Sequence, residues 1–245
     1  VHVTAGDIVH QVGPRAQQPV PGAWGRTDGG ATAVAVGEEL AVGVWTDRAR
    51  VTTARGRRPL DLTGDRFVRP AVDIDSMGWL VDRQNGRARV RVHDGESLTL
   101  VPSPGLPVLS SFAISPDGAR YAATSGGRLL LGGVERREGR VVGLTEPEQL
   151  PTQAAAREVA WVDGTRVAHL GPRGTQVRSV RIDGTGAVDA WPGGGQLLPG
   201  IDPVALVATP AARSDLYLLD TEGGVWVLDR TRWVQLDLPA ARGIA

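Results

Sequence analysis

Few side chains in this sequence could do chemistry, and each has to be weighed against the turn that holds it. Cys and Lys are both absent, so all 27 basic residues are Arg. Without Cys there is no thiolate nucleophile, no disulfide and no Cys-based zinc site. Without Lys there is no Schiff base, no P-loop lysine and no Ser–Lys dyad. A Gly-x-Ser-x-Gly elbow is also missing. The four histidines, His2, His10, His93 and His169, lack the close spacing of a zinc-binding pair on one helix. His169 alternates with Val167 along a strand and reads as structural. His93 precedes Asp94-Gly95 in a hairpin and is expected at the surface. A terminal hairpin would bring His2 towards His10, but two ligands without a third do not make a metal site.

The carboxylates read mainly as turn formers. Asp73-Ile74-Asp75-Ser76-Met77-Gly78 begins like a calcium loop, then fails. Met77 takes the next ligand position, and Gln84 stands where a bidentate Glu is required. A turn through Asp75 and Gly78 suffices, as at Asp117-Gly118, Asp163-Gly164 and Asp183-Gly184. A glycosidase pair would need two carboxylates facing each other across a cleft, which spacing along the chain does not reveal. No catalytic, cofactor-binding or metal-binding residue is therefore assigned, and no cofactor is implied.

Two features suit a contact surface instead. Arg87, Arg89 and Arg91 alternate with Ala88, Val90 and Val92, so the three Arg share one face of a strand. Arg55, Arg57 and Arg58 cluster in a neighbouring loop. Such a patch fits an acidic protein partner, and it equally fits a solvated strand that charge protects from edge pairing. Trp24 lies in a Gly-rich connection, either packed between sheets or exposed at a contact.

The elements that must position these residues are short strands. Gly 33 and Pro 17 punctuate the chain densely, with two-residue alternation between them and no helical stripe. The clearest unit is Ser110 to Ala123: an apolar strand, a Ser115-Pro116-Asp117-Gly118 turn, then a second strand. Leu129-Leu130-Leu131 and Val141-Val142 follow as third and fourth. Four antiparallel strands in about 40 residues form one propeller blade. Inner strands centred on Thr32, Ala71, Phe112, Val159 and Ala205 predict five blades, over about 25–63, 64–103, 104–150, 151–195 and 196–239. A sixth is composite. Residues 1–22 supply its second to fourth strands, and 240–245, near Ile244, supply its inner strand. The reading is thus an all-β, six-bladed propeller spanning 1–245, closed by its two ends; five blades with a loose N-terminal hairpin is the alternative. Val, Leu, Ala and Trp should fill the spaces between blades, with Trp45, Trp79, Trp161, Trp191, Trp226 and Trp233 in or beside strands.

Composition excludes further classes. Basic and acidic residues balance at 27 each, which argues against nucleic acid as a partner. No apolar run approaches the roughly 18–20 residues of a membrane span. The chain starts at Val1 within a strand and stops abruptly at Ala245, so a leader, an anchor or a further domain is expected outside it.

Taken in order, Ser111 to Gly118, Val159-Ala160-Trp161-Val162-Asp163-Gly164, and the hairpin from Leu216-Tyr217-Leu218 to Val225-Trp226-Val227 resemble the C-terminal propeller of the LpqB family of actinobacterial lipoproteins. The likeness extends over essentially the whole chain. It implies an exported protein, lipid-anchored in the membrane through an N-terminal Cys outside this chain, with GerMN-type modules before the propeller. It also implies an accessory of the Mtr two-component system that contacts the extracytoplasmic domain of the sensor kinase. It supplies no catalytic residue. Two other readings stay open: a cell-envelope propeller enzyme (lyase or glycan hydrolase), and a glycan- or peptide-binding module using Trp24.

Overall fold

A computed structural model describes residues 2–5, 8–12, 17–19, 31–53, 58–152, 155–171, 176–184, 189–190, 201–208, 215–229 and 232–244. Among these, all the regular structure is strand, and it forms six antiparallel sheets. Five sheets are contiguous in sequence, with strands Ala33–Val36, Leu40–Val44, Arg48–Thr53 and Leu60–Thr63 in the first. The second holds Ala71–Val72, Gly78–Gln84, Arg87–His93 and Leu98–Val101. The third starts with Ser111–Ile114, the fourth with Val159–Asp163 and the fifth with Pro203–Ala208. The sixth is composite: Ala241–Ile244 pairs with His2–Ala5, followed by Ile8–Val12 and Gln17–Pro19. The register sets Val3 opposite Ile244, with a bulge between Thr4 and Ala5.

Each inner strand lies against the inner strands of the sheets before and after it, and the last closes on the first. The sheets therefore stand as spokes around an axis, and the core is divided into layers between them. Trp79, Val90, Leu106, Phe112 and Tyr121 fill the space between the second and third sheets. Leu206, Leu216, Leu218 and Trp233 lie between the fourth and fifth, and Tyr217, Val225 and Ile244 between the fifth and sixth. Trp79, Trp161 and Trp233 are buried, as interblade packing requires. Trp24 and Trp191 lie outside the described residues.

The third sheet departs from the simple repeat. Its third strand runs from Arg128 to Arg137, longer than the expected Arg128–Leu131. The far half pairs with Arg140–Leu144, and the near half, Leu129 to Leu131, pairs with Glu148–Leu150. The fourth position of this sheet is thus shared by two strands. Here too Tyr121 stacks on Phe112, with ring centroids 5.7 Å apart, and donates its hydroxyl to the Thr145 carbonyl at 2.9 Å. Its ring covers Gly132, directly opposite in the register. A Cβ there would lie 2.4 Å from ring atoms. Gly132→Ala is expected to cost about 2 kcal/mol, the middle of the range for overpacking a filled core, read from urea unfolding.

Candidate functional site

The turns that carry the conspicuous carboxylates are self-contained. Asp117 accepts the Ser115 hydroxyl and the Ala119 N–H. Gly118 takes φ 67°, which a turn residue without Cβ tolerates. Asp163 accepts the N–H and hydroxyl of Thr165, and Asp94 accepts the N–H groups of Glu96 and Ser97. Partial burial alone would raise these three carboxyls, but the hydrogen bonds outweigh it and hold each below the usual carboxylate range. In the calcium-like segment the organiser is Asp73, not Asp75. Asp73 accepts the N–H groups of Asp75 and Met77 through one oxygen, and Trp79 Nε1 and Arg136 through the other. Ser76, at φ 57°, makes the left-handed step expected of Gly78. Gly78 instead opens the next strand, where a Cβ would meet Val42 and Leu40 under 3 Å away.

The histidines also part from expectation in places. His93 is buried, and its Nδ1 accepts the Gly95 N–H at 3.0 Å. The hairpin register sets His2 opposite Gln11 and His10 opposite Val3, so the two are not cross-strand partners. His169 is fully buried, and neither ring nitrogen finds a hydrogen-bond partner among the described residues. Among those residues no group of three metal-ligating side chains converges.

The arginine stripe divides in two. Arg87 is exposed at the start of its strand. Arg89 and Arg91 both close on Asp82, which is 2% exposed; Arg89 Nε donates to Oδ1 at 2.9 Å, and an Arg91 nitrogen lies 2.9 Å from the same oxygen. Arg91 also stands over Phe67, 5.5 Å from its ring centre. The alternation was legible in the sequence. The buried carboxylate it serves, directly across from Arg89 in the register, was not. Arg55, Arg57 and Trp24 lie outside the described residues.

Among the described residues one concavity is axial, an opening of about 560 Å³ between the inner strands. Its wall is apolar over five sheets, with Val36 from the first, Val72 from the second, Ile114 from the third, Trp161 from the fourth and Val207 from the fifth, and the sixth contributes His2. Ile74, 72% exposed, stands at its rim. At the other end Arg69, just before the inner strand of the second sheet, reaches across the axis. It donates to the carbonyl of Leu206 on the opposite sheet at 3.1 Å and to the Ser111 hydroxyl at 3.4 Å, and it pairs with Glu158. Burial brings its guanidinium down from 12.5 to about 10, still fully charged at neutral pH. One side chain thereby ties four of the six spokes together. Sequence reading missed it, because nothing local to Arg69 or Glu158 announces a partner so far along the chain.

Titration of these groups gives a pH signature. Burial is the main cause lowering His169, and it brings His2 to about 4. Both prefer the neutral ring when folded, so their contribution is full above about 6.5 and declines as pH falls below that. Asp94, Asp117 and Asp163, depressed when folded, contribute above about 4 and lose that contribution as pH falls further. Both signs agree. Unfolding free energy should be greatest near neutrality and fall in two stages on acidification, with His169→Leu flattening the first; a chemical-denaturation series from pH 8 to 3 checks it.

A family model described as the lipoprotein LpqB β-propeller domain matches residues 6–240. No curated protein sequence matches the chain. Among solved structures, it is similar to a chain in the crystal structure of a nidogen/laminin complex. Identity is 12% and the TM-score 0.64, with 99% of this chain and 95% of that chain covered. It is also similar to a chain in the structure of YCF48 bound to D1 peptide. There identity is 15% and the TM-score 0.53, over 96% of this chain and 76% of that one. At such identities the likeness is one of fold alone. The family match runs through all of this chain's spokes, from the hairpin of the composite sheet to the residue before its clasping strand, and so the chain belongs to the LpqB lipoprotein β-propeller domain family.

Proposed function

We propose that this domain is the non-catalytic, protein-binding part of an exported, lipid-anchored lipoprotein, and that its partner is the extracytoplasmic domain of an Mtr-type sensor kinase. One observation carries the non-catalytic reading. The charged and hydroxyl groups described around the axis are committed to the scaffold: Asp73 to its turn, Trp79 and Arg136, Ser115 to Asp117, and Arg69 to Glu158; the imidazole there, His2, is brought down to about 4, mainly by burial, away from the neutral range where a general base works best. Acid–base chemistry needs a group poised to give or take a proton, whereas recognition needs only a rigid surface of fixed shape. Family membership supports export and lipidation. Both similar structures come from complexes with a protein or peptide, which accords with a ring used for binding.

An accessory shifts a kinase only if it binds its two states with different affinity. The test is titration of the full-length lipoprotein, and of this propeller, against the kinase ectodomain at physiological salt, alongside autophosphorylation of the kinase in vesicles. Saturable binding with a change in autophosphorylation is expected; no binding by either form overturns the reading. Within the arginine stripe, the exposure of Arg87 supports it as the contact for an acidic partner. Arg87→Glu is expected to weaken binding roughly tenfold, the scale of a rim charge reversal, with an unchanged melting temperature.

A further inference from the structure

We infer that the axial opening is a binding site for a neutral, largely apolar organic molecule, an inference independent of the kinase partner. Size comes first: about 560 Å³ falls within the range of pockets that enclose drug-sized ligands. The shape is blind, since Arg69 spans the axis at one end while the other opens beside Ile74. The wall contributed by Val36, Val72, Ile114, Trp161 and Val207 is apolar from one sheet to the next. Burying an alkyl or aryl group against it is favourable, at about 25 cal/mol per Å² removed from water.

Charge decides what kind of molecule fits. Arg69 is the cation lining the opening, and Glu158 already neutralises it. Asp73 is neutralised by Arg136 in the same way. A carboxylate or an ammonium would therefore enter a low-dielectric space without a counter-ion, which is costly. What remains for a ligand's polar groups is the neutral imidazole of His2, from the sixth sheet, and backbone. The inner strands pair on one side only, with the second strand of their own sheet, so their other edge faces the axis. Leu206 and Ala113 C=O and Val159 N–H are already bonded across blades; the backbone of that edge beyond them suits an amide, a hydroxyl or a ketone.

Two dyes with one aromatic frame test this: N-phenyl-1-naphthylamine, which is neutral, and 1-anilinonaphthalene-8-sulfonate, which adds a sulfonate. The neutral dye is expected to bind one per chain, at least tenfold tighter than the sulfonate. Ala71→Trp and Ala208→Trp, filling the opening from opposite sheets, should each weaken it more than tenfold while the far-ultraviolet spectrum stays unchanged. Because a filling variant can misfold, the unsubstituted protein is also followed by methyl resonances, where shifts should centre on Val72, Ile114 and Val207. Absence of saturable binding, equal affinity for the two dyes, or shifts centred elsewhere would each overturn the site. So would undiminished binding in folded Trp variants. None of these outcomes bears on the kinase titration.

Discussion

Glu158→Ala is expected to lower the unfolding free energy by about 3 kcal/mol, the low end of what breaking a buried ion pair costs. Arg69 would keep its charge while losing its counter-ion in a site only 18% exposed. Its bonds to Leu206 and Ser111 hold it in place, so it has no easy route to water. Arg69→Met, which strands Glu158 instead, should cost a similar amount. The double variant Arg69→Met with Glu158→Met should recover most of the loss, because two apolar side chains of similar volume leave no charge uncompensated. Urea unfolding of the four proteins measures the coupling directly. If both single variants stay within about 0.5 kcal/mol of the parent, the pair is not holding the spokes together.

The second large effect belongs to the clasp. Ile244 is fully buried among Tyr217, Val225 and Val227, and it pairs with Val3 across the two ends of the chain. Ile244→Ala removes that packing from the sheet that closes the ring. Truncations of this kind cost about 2–5 kcal/mol, so a fall in melting temperature of roughly 10 °C is expected for a chain of this length. Val234→Ala, at 36% exposure on an outer strand, should change stability by less than about 0.5 kcal/mol. Removing residues 241–245 altogether should do more than either. It exposes the edge of His2–Ala5, and an unpaired edge recruits other chains, so light scattering should report association. A monomeric, fully folded truncated protein would show that closure contributes little.

Much of the fold was legible because turn chemistry is local. Ser115-Pro116-Asp117-Gly118 states its own geometry, and repeating its spacing places the inner strands and even the clasp near Ile244. What stayed hidden depends on register and on distance. The shared fourth position of the third sheet follows from a strand that runs on to Arg137, and alternation alone does not say which partner each half takes. His93 looked exposed because it borders Asp94-Gly95, yet it is buried at the last position of its strand. Asp82 sits in an ordinary strand sequence, and only pairing against Arg89 explains why the arginines alternate. The axial opening was the least legible part. It is assembled from residues of all six sheets, each unremarkable alone, and it exists only once the ring is closed.

A closed ring whose seam lies inside a spoke has no privileged starting point. Joining residue 245 to residue 1 through a short linker and reopening the chain between Val101 and Ser111 should give a permutant with the same six spokes, because ends that meet in space can be tied and loops can be cut. The seam would then fall between spokes instead of within one. A permutant of this kind would separate the mechanical contribution of the seam from that of the residues beside it, and pulling on its new ends would load a loop rather than a strand pair.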